Sequence, residues 1–399
     1  MKYTKLLLSI FMVMPFFALP AGCGGGGGDD PAPAPAPATA SNVMAITVNG
    51  ALCSDSSYLN KPCVSVTVCN PDSSICRTIA DIIVDTGSYG LRIFKEAMPG
   101  LPLPQVASGS GSLAQCVQFA DESSLWGPVS WADVKMGGEP AVRVPIQVID
   151  STFGTRPSAC ASADPNVATA GLSGILGIGV ATEDCGPACV TNPGIGIYYR
   201  CTGTSCQGTT VPLASQVQNP VARLPQDNNG ILVQLPAVPA GGVVSTSGSI
   251  IFGIGTQANN NPVSKTVFPT NEFGDFSTIY KGVNSLSFLD TGSNGLFFPN
   301  ESPTLPLCPS PNTAWYCPPE TQSLSATTVG DFGSPSANIP FNVGNFLALV
   351  QSPNNVFSDI AGPSTFGFDW GLPFFMGREV FFGINGRPSV IGTGPYVAY

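Results

Sequence analysis

The sequence contains no histidine among its 399 residues. Serine and cysteine hydrolases of the usual kind need imidazole as a base, and zinc sites of the H-E-x-x-H type need it as a ligand. The absence of histidine therefore excludes these classes of enzyme. Acid–base chemistry performed by carboxyl groups remains open.

Charged residues are also scarce, at 10% of the chain, and acids outnumber bases by 25 to 15. Lys and Arg form no cluster, and the isoelectric point is about 4.4. This balance argues against nucleic acid or an anionic lipid surface as an electrostatic partner. With 43% hydrophobic residues the chain can bury a large core, and its length favours two domains or one two-lobed body.

The N-terminus has the features of an export signal. Two lysines precede an apolar run that is too short for an ordinary membrane span and that ends in small residues. The A-G-C sequence at residues 21–23 resembles the lipobox of bacterial lipoproteins, which implies a signal peptide over residues 1–22 and a lipid on Cys23. Pro20 departs from that pattern, so an ordinary cleaved signal is the alternative.

Residues 23–41 form a glycine-rich and Pro-Ala tether that would hold a folded body away from a membrane. By analogy with lipoproteins, Gly24 favours the outer membrane of a Gram-negative envelope, with the body facing the periplasm or the cell surface. Setting Cys23 aside, the 13 cysteines leave an even number. In an exported protein this predicts disulfides rather than metal sites, although the spacing leaves their connectivity open.

From residue 42 onward, short runs of Val, Ile, Phe and Thr are broken by Gly, Pro, Asn and Ser. This pattern is typical of an all-β protein. Alternating segments such as V-S-V-T-V at residues 64–68 and A-D-V-K-M at residues 132–136 predict half-buried strands. A short helix is expected near residues 217–224.

One loop sequence occurs twice. The segments I-I-V-D-T-G-S-Y-G-L-R-I-F at residues 82–94 and L-S-F-L-D-T-G-S-N-G-L-F-F-P at residues 286–299 share D-T-G-S-x-G-L, so that Asp85 corresponds to Asp290. Chance duplication is a poor explanation for a motif of this length. A single D-T-G-S is more often a turn than a catalytic loop, and it is the pairing that is informative.

Each acid is also followed, at a similar distance, by apolar residues and then a glycine, which are predicted to form a flanking strand at Gly177 and at Gly377. The recurrence predicts two copies of one architecture. The boundary is expected in the Gly- and Ser-rich segment at residues 239–249, which gives an N-terminal lobe over residues 42–243 and a C-terminal lobe over residues 244–399.

These motifs resemble those of the pepsin family of two-lobed aspartic peptidases, in which each lobe gives one D-T-G-S/T loop and one flanking hydrophobic-hydrophobic-Gly strand. The resemblance extends over about residues 42–399 and includes G-S-I-I-F-G-I-G and W-A-D-V-K-M-G-G. Together with the export features, the chain looks closest to an uncharacterised family of bacterial pepsin-like lipoproteins. The resemblance implies an all-β fold, a bilobal double β-barrel with an active-site cleft between the lobes.

By this resemblance, Asp85 and Asp290 form a catalytic dyad. Two carboxyl groups in one cleft cannot both ionise readily, so the pair shares a proton. The unprotonated member can take a proton from a bound water while the other polarises the scissile carbonyl, and the motif does not assign these roles. The expected activity is endoproteolysis of a polypeptide substrate, with no cofactor and no metal.

The resemblance also gives supporting roles to the neighbours of the two acids. The threonine hydroxyls are expected to reach the opposite loop, the glycines to allow close backbone approach, and the serines to hydrogen-bond the outer carboxylate oxygens. These residues are Thr86, Gly87, Ser88, Thr291, Gly292 and Ser293.

Two departures from the pepsin pattern leave a second function open. The hairpin that closes over substrate in pepsins carries a tyrosine, whereas residues 117–131 contain none. Phe119 or Trp126 could fill that space, or both could pack under the hairpin. The tether also leaves no room for a pepsin-type prosegment.

The alternative function is therefore a catalytically silent pepsin-like lipoprotein that binds a partner or serves envelope assembly. A purely structural β-rich lipoprotein would explain the tether and the cysteines but not the paired motifs. The sequence offers no clear oligomer surface, and a monomer is expected.

Overall fold

The computed structural model describes residues 40–54, 58–119, 123–299 and 305–399. The predicted signal peptide, Cys23 and almost all of the tether lie outside these residues. The described chain is mainly β with a few short helices, which confirms the coarse prediction of the fold class. In these ranges no helix has both the length and the apolar character needed to span a membrane.

The strands of the first half are β1 (Val43–Val48), β2 (Pro62–Cys69), β3 (Cys76–Asp85), β4 (Tyr89–Phe94), β5 (Ala107–Ser108), β6 (Gly111–Gln118), β7 (Ser124–Met136), β8 (Val142–Ile149), β9 (Gly174–Ile178), β10 (Tyr198–Thr202), β11 (Ser205–Gly208) and β12 (Gly230–Gln234). Those of the second half are β13 (Thr246–Phe252), β14 (Val267–Pro269), β15 (Phe276–Tyr280), β16 (Val283–Leu289), β17 (Leu296–Phe298), β18 (Gln322–Val329), β19 (Ser336–Val343), β20 (Ala361–Pro363), β21 (Phe368–Trp370), β22 (Glu379–Gly383), β23 (Pro388–Ser389), β24 (Gly392–Thr393) and β25 (Tyr396–Ala398).

The α-helices are single turns, namely α1 (Val167–Ala170), α2 (Pro187–Thr191), α3 (Phe346–Leu349) and α4 (Leu372–Phe375). Short 3₁₀ turns occur at Lys95–Ala97, Ser158–Cys160, Pro193–Ile195, Leu213–Ser215, Pro220–Arg223 and Ala258–Asn260. The helix expected near residues 217–224 is thus the 3₁₀ turn Pro220–Arg223.

Six strands of the N-terminal half close into a barrel. Their order is β2, β3, β9, β4, β8 and β7, and β7 pairs back with β2. In β2 the alternation of V-S-V-T-V buries Val64, Val66 and Val68 completely, because successive side chains in a strand point to opposite faces. This segment forms the half-buried strand that the sequence predicts.

The C-terminal half forms a curled half-barrel rather than a second closed barrel. Its seven strands follow the order β19, β18, β15, β16, β21, β17 and β20. The concave side is filled by stacked and edge-to-face aromatic rings that include Phe298, Phe341, Phe368 and Trp370. The double barrel expected from the sequence is therefore a closed barrel beside an open one.

A row of antiparallel strands joins the two halves. The strand β1 pairs with β13 along six residues, and the row continues through β12, β22, β25 and β14. The predicted lobe boundary between residues 243 and 244 falls between β12 and β13.

Twelve cysteines form six disulfides, which confirms the prediction of disulfides. The pairs are Cys53–Cys63, Cys69–Cys76, Cys116–Cys160, Cys185–Cys189, Cys201–Cys206 and Cys308–Cys317. Disulfides in this number indicate an extracytoplasmic protein, because thiols in the cytosol are kept reduced.

Candidate active site

Two threonines hold the repeated loops against one another. The Thr86 hydroxyl donates to the Leu289 carbonyl at 3.0 Å and accepts from the Thr291 N–H at 3.0 Å. In return, the Thr291 hydroxyl donates to the Val84 carbonyl at 2.8 Å and accepts from the Thr86 N–H at 3.1 Å. Both threonines are buried. This exchange fixes the position of each acid relative to the other.

Each acid accepts two hydrogen bonds inside its own loop. Asp85 accepts from the Gly87 N–H at 2.8 Å and from the Ser88 hydroxyl. The second loop repeats this pattern, since Asp290 accepts from the N–H two residues later and from the serine hydroxyl three residues later, both at 2.7 Å. Donors placed in this way stabilise an ionised carboxylate.

The glycines of the two loops allow the acids to approach. A Cβ added at Gly87 would lie 2.9 Å from Cγ of Asp290, and one added at Gly292 would lie 3.0 Å from Cγ of Asp85. Each carboxyl group thus lies against the backbone of the opposite loop. The two carboxyl groups are thus close enough to interact electrostatically.

The electrostatics of the pair follow from this proximity. Asp85 is only 7% exposed, whereas Asp290 is half-buried. Burial, and after it the charge of Asp290, raises the pKa of Asp85 well above its ordinary value. Asp85 therefore keeps a proton at pH values where an isolated carboxyl group is ionised.

The flanking strands correct one predicted residue. In the first half, β9 lies between β3 and β4, and Gly177 is opposite Asp85, as expected of the flanking glycine. In the second half, β21 lies between β16 and β17 in the same manner, which brings Gly371 to the equivalent place next to Asp290. Gly377 lies instead beyond helix α4, against Ala237.

The predicted hairpin is present as β6 and β7, but its two aromatic candidates are not placed over the acids. Trp126 is fully buried beside Cys116 and Cys160, and its indole N–H donates to the Phe153 carbonyl at 2.7 Å. Its donor is therefore already used inside the N-terminal half. Phe119 is half-buried and packs on a separate apolar cluster. Residues 120–122 of this segment lie outside the described residues.

Two tyrosines lie at the acid loops, one from the segment between β1 and β2 and the other from the first loop segment itself. The Tyr58 hydroxyl, between β1 and β2, is 3.5 Å from the Gly292 carbonyl. The Tyr89 hydroxyl donates to the Phe273 carbonyl at 2.6 Å, which ties the first acid loop to the C-terminal half. No local motif marks Tyr58, because its contact spans 234 residues of sequence.

Asp369 is an acid that the sequence motifs do not include. It lies in β21, two residues before Gly371, and its charge neighbours are Asp290 and Asp85. The signal in the sequence is a single acid within the apolar segment F-G-F-D-W-G-L-P-F-F. A third carboxyl group is thus present in the strand that flanks the second acid loop.

An open groove of about 640 Å³ occurs away from the acids, along residues 94–102 and 149–152. Its lysine, Lys95, forms an ion pair with Asp150 at 2.8 Å. Neither acid loop contributes to its lining. The groove is therefore separate from the two acid loops.

Comparison with known proteins places the chain in a family. The model of the family described as "Protein of unknown function (DUF3443)" matches residues 38–399. No curated protein matches the chain. Because the family model covers most of the sequence, this protein belongs to the DUF3443 family.

Proposed function

We propose that this protein is an aspartic endopeptidase that hydrolyses peptide bonds with a water activated by Asp85 and Asp290. The observation that carries the proposal is the close approach of the two carboxyl groups, in loops that the threonines hold together. Two carboxyl groups that share a proton can provide a general acid and a general base at once.

We assign the two roles from burial, because the more deeply buried carboxyl group, Asp85, keeps its proton more readily than Asp290. Asp290, as the carboxylate, takes a proton from water, and the resulting hydroxide adds to the scissile carbonyl carbon. Asp85 gives its proton to the carbonyl oxygen as negative charge develops there. As the tetrahedral intermediate collapses, one of its hydroxyl groups returns a proton to Asp85, the C–N bond breaks, and the amine leaves with the proton that Asp290 accepted.

The proposed fold is pepsin-like, with the cleft between the halves. Its support is the repetition of one local arrangement, in which an acid loop is followed by a strand that lies between its two neighbours, in both halves of a mainly β chain. A polypeptide is the proposed substrate, and the reaction needs no cofactor.

The proposed location is the outer membrane of a Gram-negative envelope, through a lipid on Cys23. The six disulfides support export. Substituting Cys23→Ser should move the protein from the membrane fraction to the soluble fraction of the cell envelope. An unchanged membrane fraction for this variant would contradict lipid anchoring at this residue.

A catalytically silent pepsin-like module is the second candidate. It is favoured by the packing of Trp126 and Phe119 onto the N-terminal half, which leaves neither predicted aromatic to close over a substrate. Such a module would bind a partner in the same cleft without cleaving it.

A peptide library separates the two candidates. The purified protein is incubated with diverse peptides from pH 3 to pH 7, beside Asp85→Asn and Asp290→Asn. Asp359→Asn is the matched control, because Asp359 is also a buried acid but has no electrostatic contact with the pair. Cleavage by wild type and control, lost in both site variants and blocked by a statine-type transition-state mimic, is expected. Cleavage that survives in the site variants would contradict the proposal.

A further inference from the structure

A short segment of the N-terminal half contacts the second acid loop. It comprises residues 58–61, between β1 and β2, and it reaches the C-terminal half through Asn60. The side-chain amide of Asn60 donates to the carbonyls of Asn294 and Phe357, both at 2.8 Å, and its oxygen accepts from the Phe357 N–H at 2.7 Å. Asn60 is fully buried, so the loss of these hydrogen bonds would leave buried polar groups unsatisfied. One side chain of the N-terminal half thus holds two segments of the C-terminal half.

This segment is fixed firmly within its own half. The side chain of Asn49 donates to the Tyr58 carbonyl at 2.6 Å and accepts from the Lys61 N–H at 2.9 Å. The ammonium group of Lys61 is buried and forms an ion pair with Asp81. Asn60 has a φ of +51°, a left-handed conformation that glycine, Asn and Asp adopt more readily than other residues. The amide of Asn60 is therefore presented from a rigid support.

The carbonyl that Asn60 binds lies next to a donor of Asp290. Asn294 follows Ser293, whose hydroxyl donates to Oδ2 of Asp290 at 2.7 Å. The Ser293 carbonyl accepts from the Leu372 N–H at 2.7 Å, within the C-terminal half. The peptide groups that follow Ser293 and Asn294 are therefore held from opposite halves of the molecule. Their orientation fixes the backbone from which the Ser293 hydroxyl reaches Asp290.

The first acid loop has a donor for the same carbonyl, but from its own strand. Tyr89 has the position of Asn294 in the shared motif, and its carbonyl accepts from the Arg92 guanidinium at 2.7 Å. Arg92 is buried in β4, three residues after Tyr89. Three residues after Asn294 the second loop has Phe297, which has no side-chain donor. Asn60 supplies from the other half the donor that Phe297 lacks.

We propose that Asn60 is a positioning residue, which binds the Asn294 carbonyl and so keeps the Ser293 hydroxyl directed at Asp290. This inference rests on the proposed peptidase function, in which Asp290 is the general base. The donor from Ser293 favours the ionised form of Asp290, which is the form that takes a proton from water. Release of the Asn294 carbonyl weakens that donor, so the chemical step slows while substrate binding is retained.

Two substitutions remove the donor in the full chain. Asn60→Gly deletes the side chain and keeps the left-handed backbone. Asn60→Asp keeps the shape, and it can donate to the Asn294 carbonyl only while its carboxyl group is protonated. Asn229→Ala is the matched control, because Asn229 is 8% exposed, donates to two backbone carbonyls at 3.1 Å and accepts from the Ile254 N–H at 2.8 Å. These partners of Asn229 lie outside both acid loops.

The first readout separates kcat from KM across the pH range of activity. We expect Asn60→Gly to lower kcat by about 10-fold or more with KM within about 2-fold, because the general base loses its orientation. The kcat of Asn60→Asp relative to wild type should fall as the pH rises, and Asn229→Ala should stay within about 2-fold of wild type. An Asn60→Gly variant with the kcat of wild type, or with no greater loss than Asn229→Ala, would overturn the inference.

The second readout, hydrogen exchange of backbone amides, does not depend on turnover. Exchange at residues 290–294 should be faster by about 10-fold or more in Asn60→Gly than in wild type, and unchanged in Asn229→Ala. Unchanged exchange at these residues, or an equal increase at residues 85–89, would overturn the inference. If Asn60→Gly does not fold, Asn60→Asp is used for both readouts. If wild type cleaves nothing at any pH, the proposed function fails, and exchange alone decides whether Asn60 holds the second loop.

Discussion

At the scale of single residues, the chemistry of the site depends on how tightly two carboxyl groups are enclosed. Asp85 is desolvated and lies against a like charge, yet the donors of its own loop keep an ionised state accessible. Asp290 has the same two kinds of donor and more exposure. Burial and the like charge favour the protonated form of Asp85, whereas the loop donors favour its ionised form.

The threonine exchange predicts a specific loss of stability. Replacing Thr291→Val preserves the shape of the side chain but leaves the Val84 carbonyl and the Thr86 N–H without their partner. We expect the free energy of unfolding to fall by about 2 kcal/mol or more, because two buried backbone groups lose hydrogen bonds. Urea unfolding measures this change.

Thr291→Ser is the control for that experiment, because it keeps the hydroxyl. Its loss of stability should be clearly smaller than that of the Val variant. Equal stability of wild type and Thr291→Val would contradict a structural role for the exchange.

The two acids and their glycine and serine donors could be found from the sequence because the hydrogen bonds between them are local. The donors to Asp85 lie two and three residues away, so the motif D-T-G-S contains the whole local arrangement. Tyr58 and Asp369 could not be found in this way. Their neighbours at the site come from distant segments, and no single segment shows both partners.

At the scale of elements, the flanking strand of the second half shows why a pattern of apolar residues is ambiguous. The segment L-P-F-F-M before Gly377 has the composition of a buried strand, but Leu372–Phe375 forms helix α4. Short apolar runs do not distinguish a strand from a buried helical turn. The true flanking strand contains Asp369, and this acid interrupts the pattern that would have identified it.

The two glycines of this region respond differently to alanine. Gly371 has an ordinary φ of −68°, but a Cβ there would lie 2.0 Å from the Gly295 carbonyl oxygen. We expect Gly371→Ala to lower the free energy of unfolding by about 3 kcal/mol or more through overpacking. Gly377 has a φ of +76°, and a Cβ added there would lie 3.2 Å from its nearest neighbour, Cβ of Ala237. Gly377→Ala should therefore lower the free energy of unfolding by only about 1 kcal/mol.

Thermal unfolding of both variants checks the order of these effects. A larger loss for Gly377→Ala than for Gly371→Ala would contradict the assignment of Gly371 to the flanking position.

The hairpin of β6 and β7 was predicted from the sequence, but the sequence did not show where its aromatic side chains pack. The side chain of Trp126 turns inward because Cys116, Cys160 and Cys201 provide a buried surface for it. The carbonyl that accepts its indole N–H belongs to Phe153, well outside the hairpin. Long-range packing of this kind has no signature within a segment of fifteen residues or so.

At the scale of the whole molecule, several buried acids make stability depend on pH. Burial raises the pKa of Asp184 to about 6 from an ordinary 3.8, although Arg92 opposes this effect. Since the folded-state pKa is the higher one, the protonated acid favours the folded state. This stabilisation is complete below about pH 4 and is lost as the pH rises through about 6.

The expected decrease in the free energy of unfolding from this one group is about 3 kcal/mol between pH 4 and pH 7. Urea unfolding across this range measures how the free energy of unfolding changes with pH. In Asp184→Asn this change should be smaller, because the amide cannot ionise. The Asn variant is also expected to be less stable overall, because Arg92 loses its partner. The same pH dependence of the unfolding free energy in wild type and Asp184→Asn would contradict a contribution from Asp184.

The coarse fold followed from the alternation and the turn residues, and the two halves followed from the repeated loop. The difference between the closed barrel of the N-terminal half and the open half-barrel of the C-terminal half did not follow from any pattern in the sequence. Closure of the N-terminal barrel depends on β7, which is long enough to pair with β6, β8 and β2. Strand length and curvature of this kind are set by packing over the whole molecule and not by the motif that the halves share.

The central claim is that Asp85 and Asp290 act together on a water molecule, and the kinetics of one cleaved peptide test it most directly. We predict that kcat/KM of wild type depends on pH with an acid and an alkaline limb, and that Asp85→Asn and Asp290→Asn each lower it by about 10³-fold or more. Asp359→Asn should follow wild type. Cleavage that persists in either site variant at the wild-type rate, or wild-type protein that cleaves no peptide at any pH, would contradict the account.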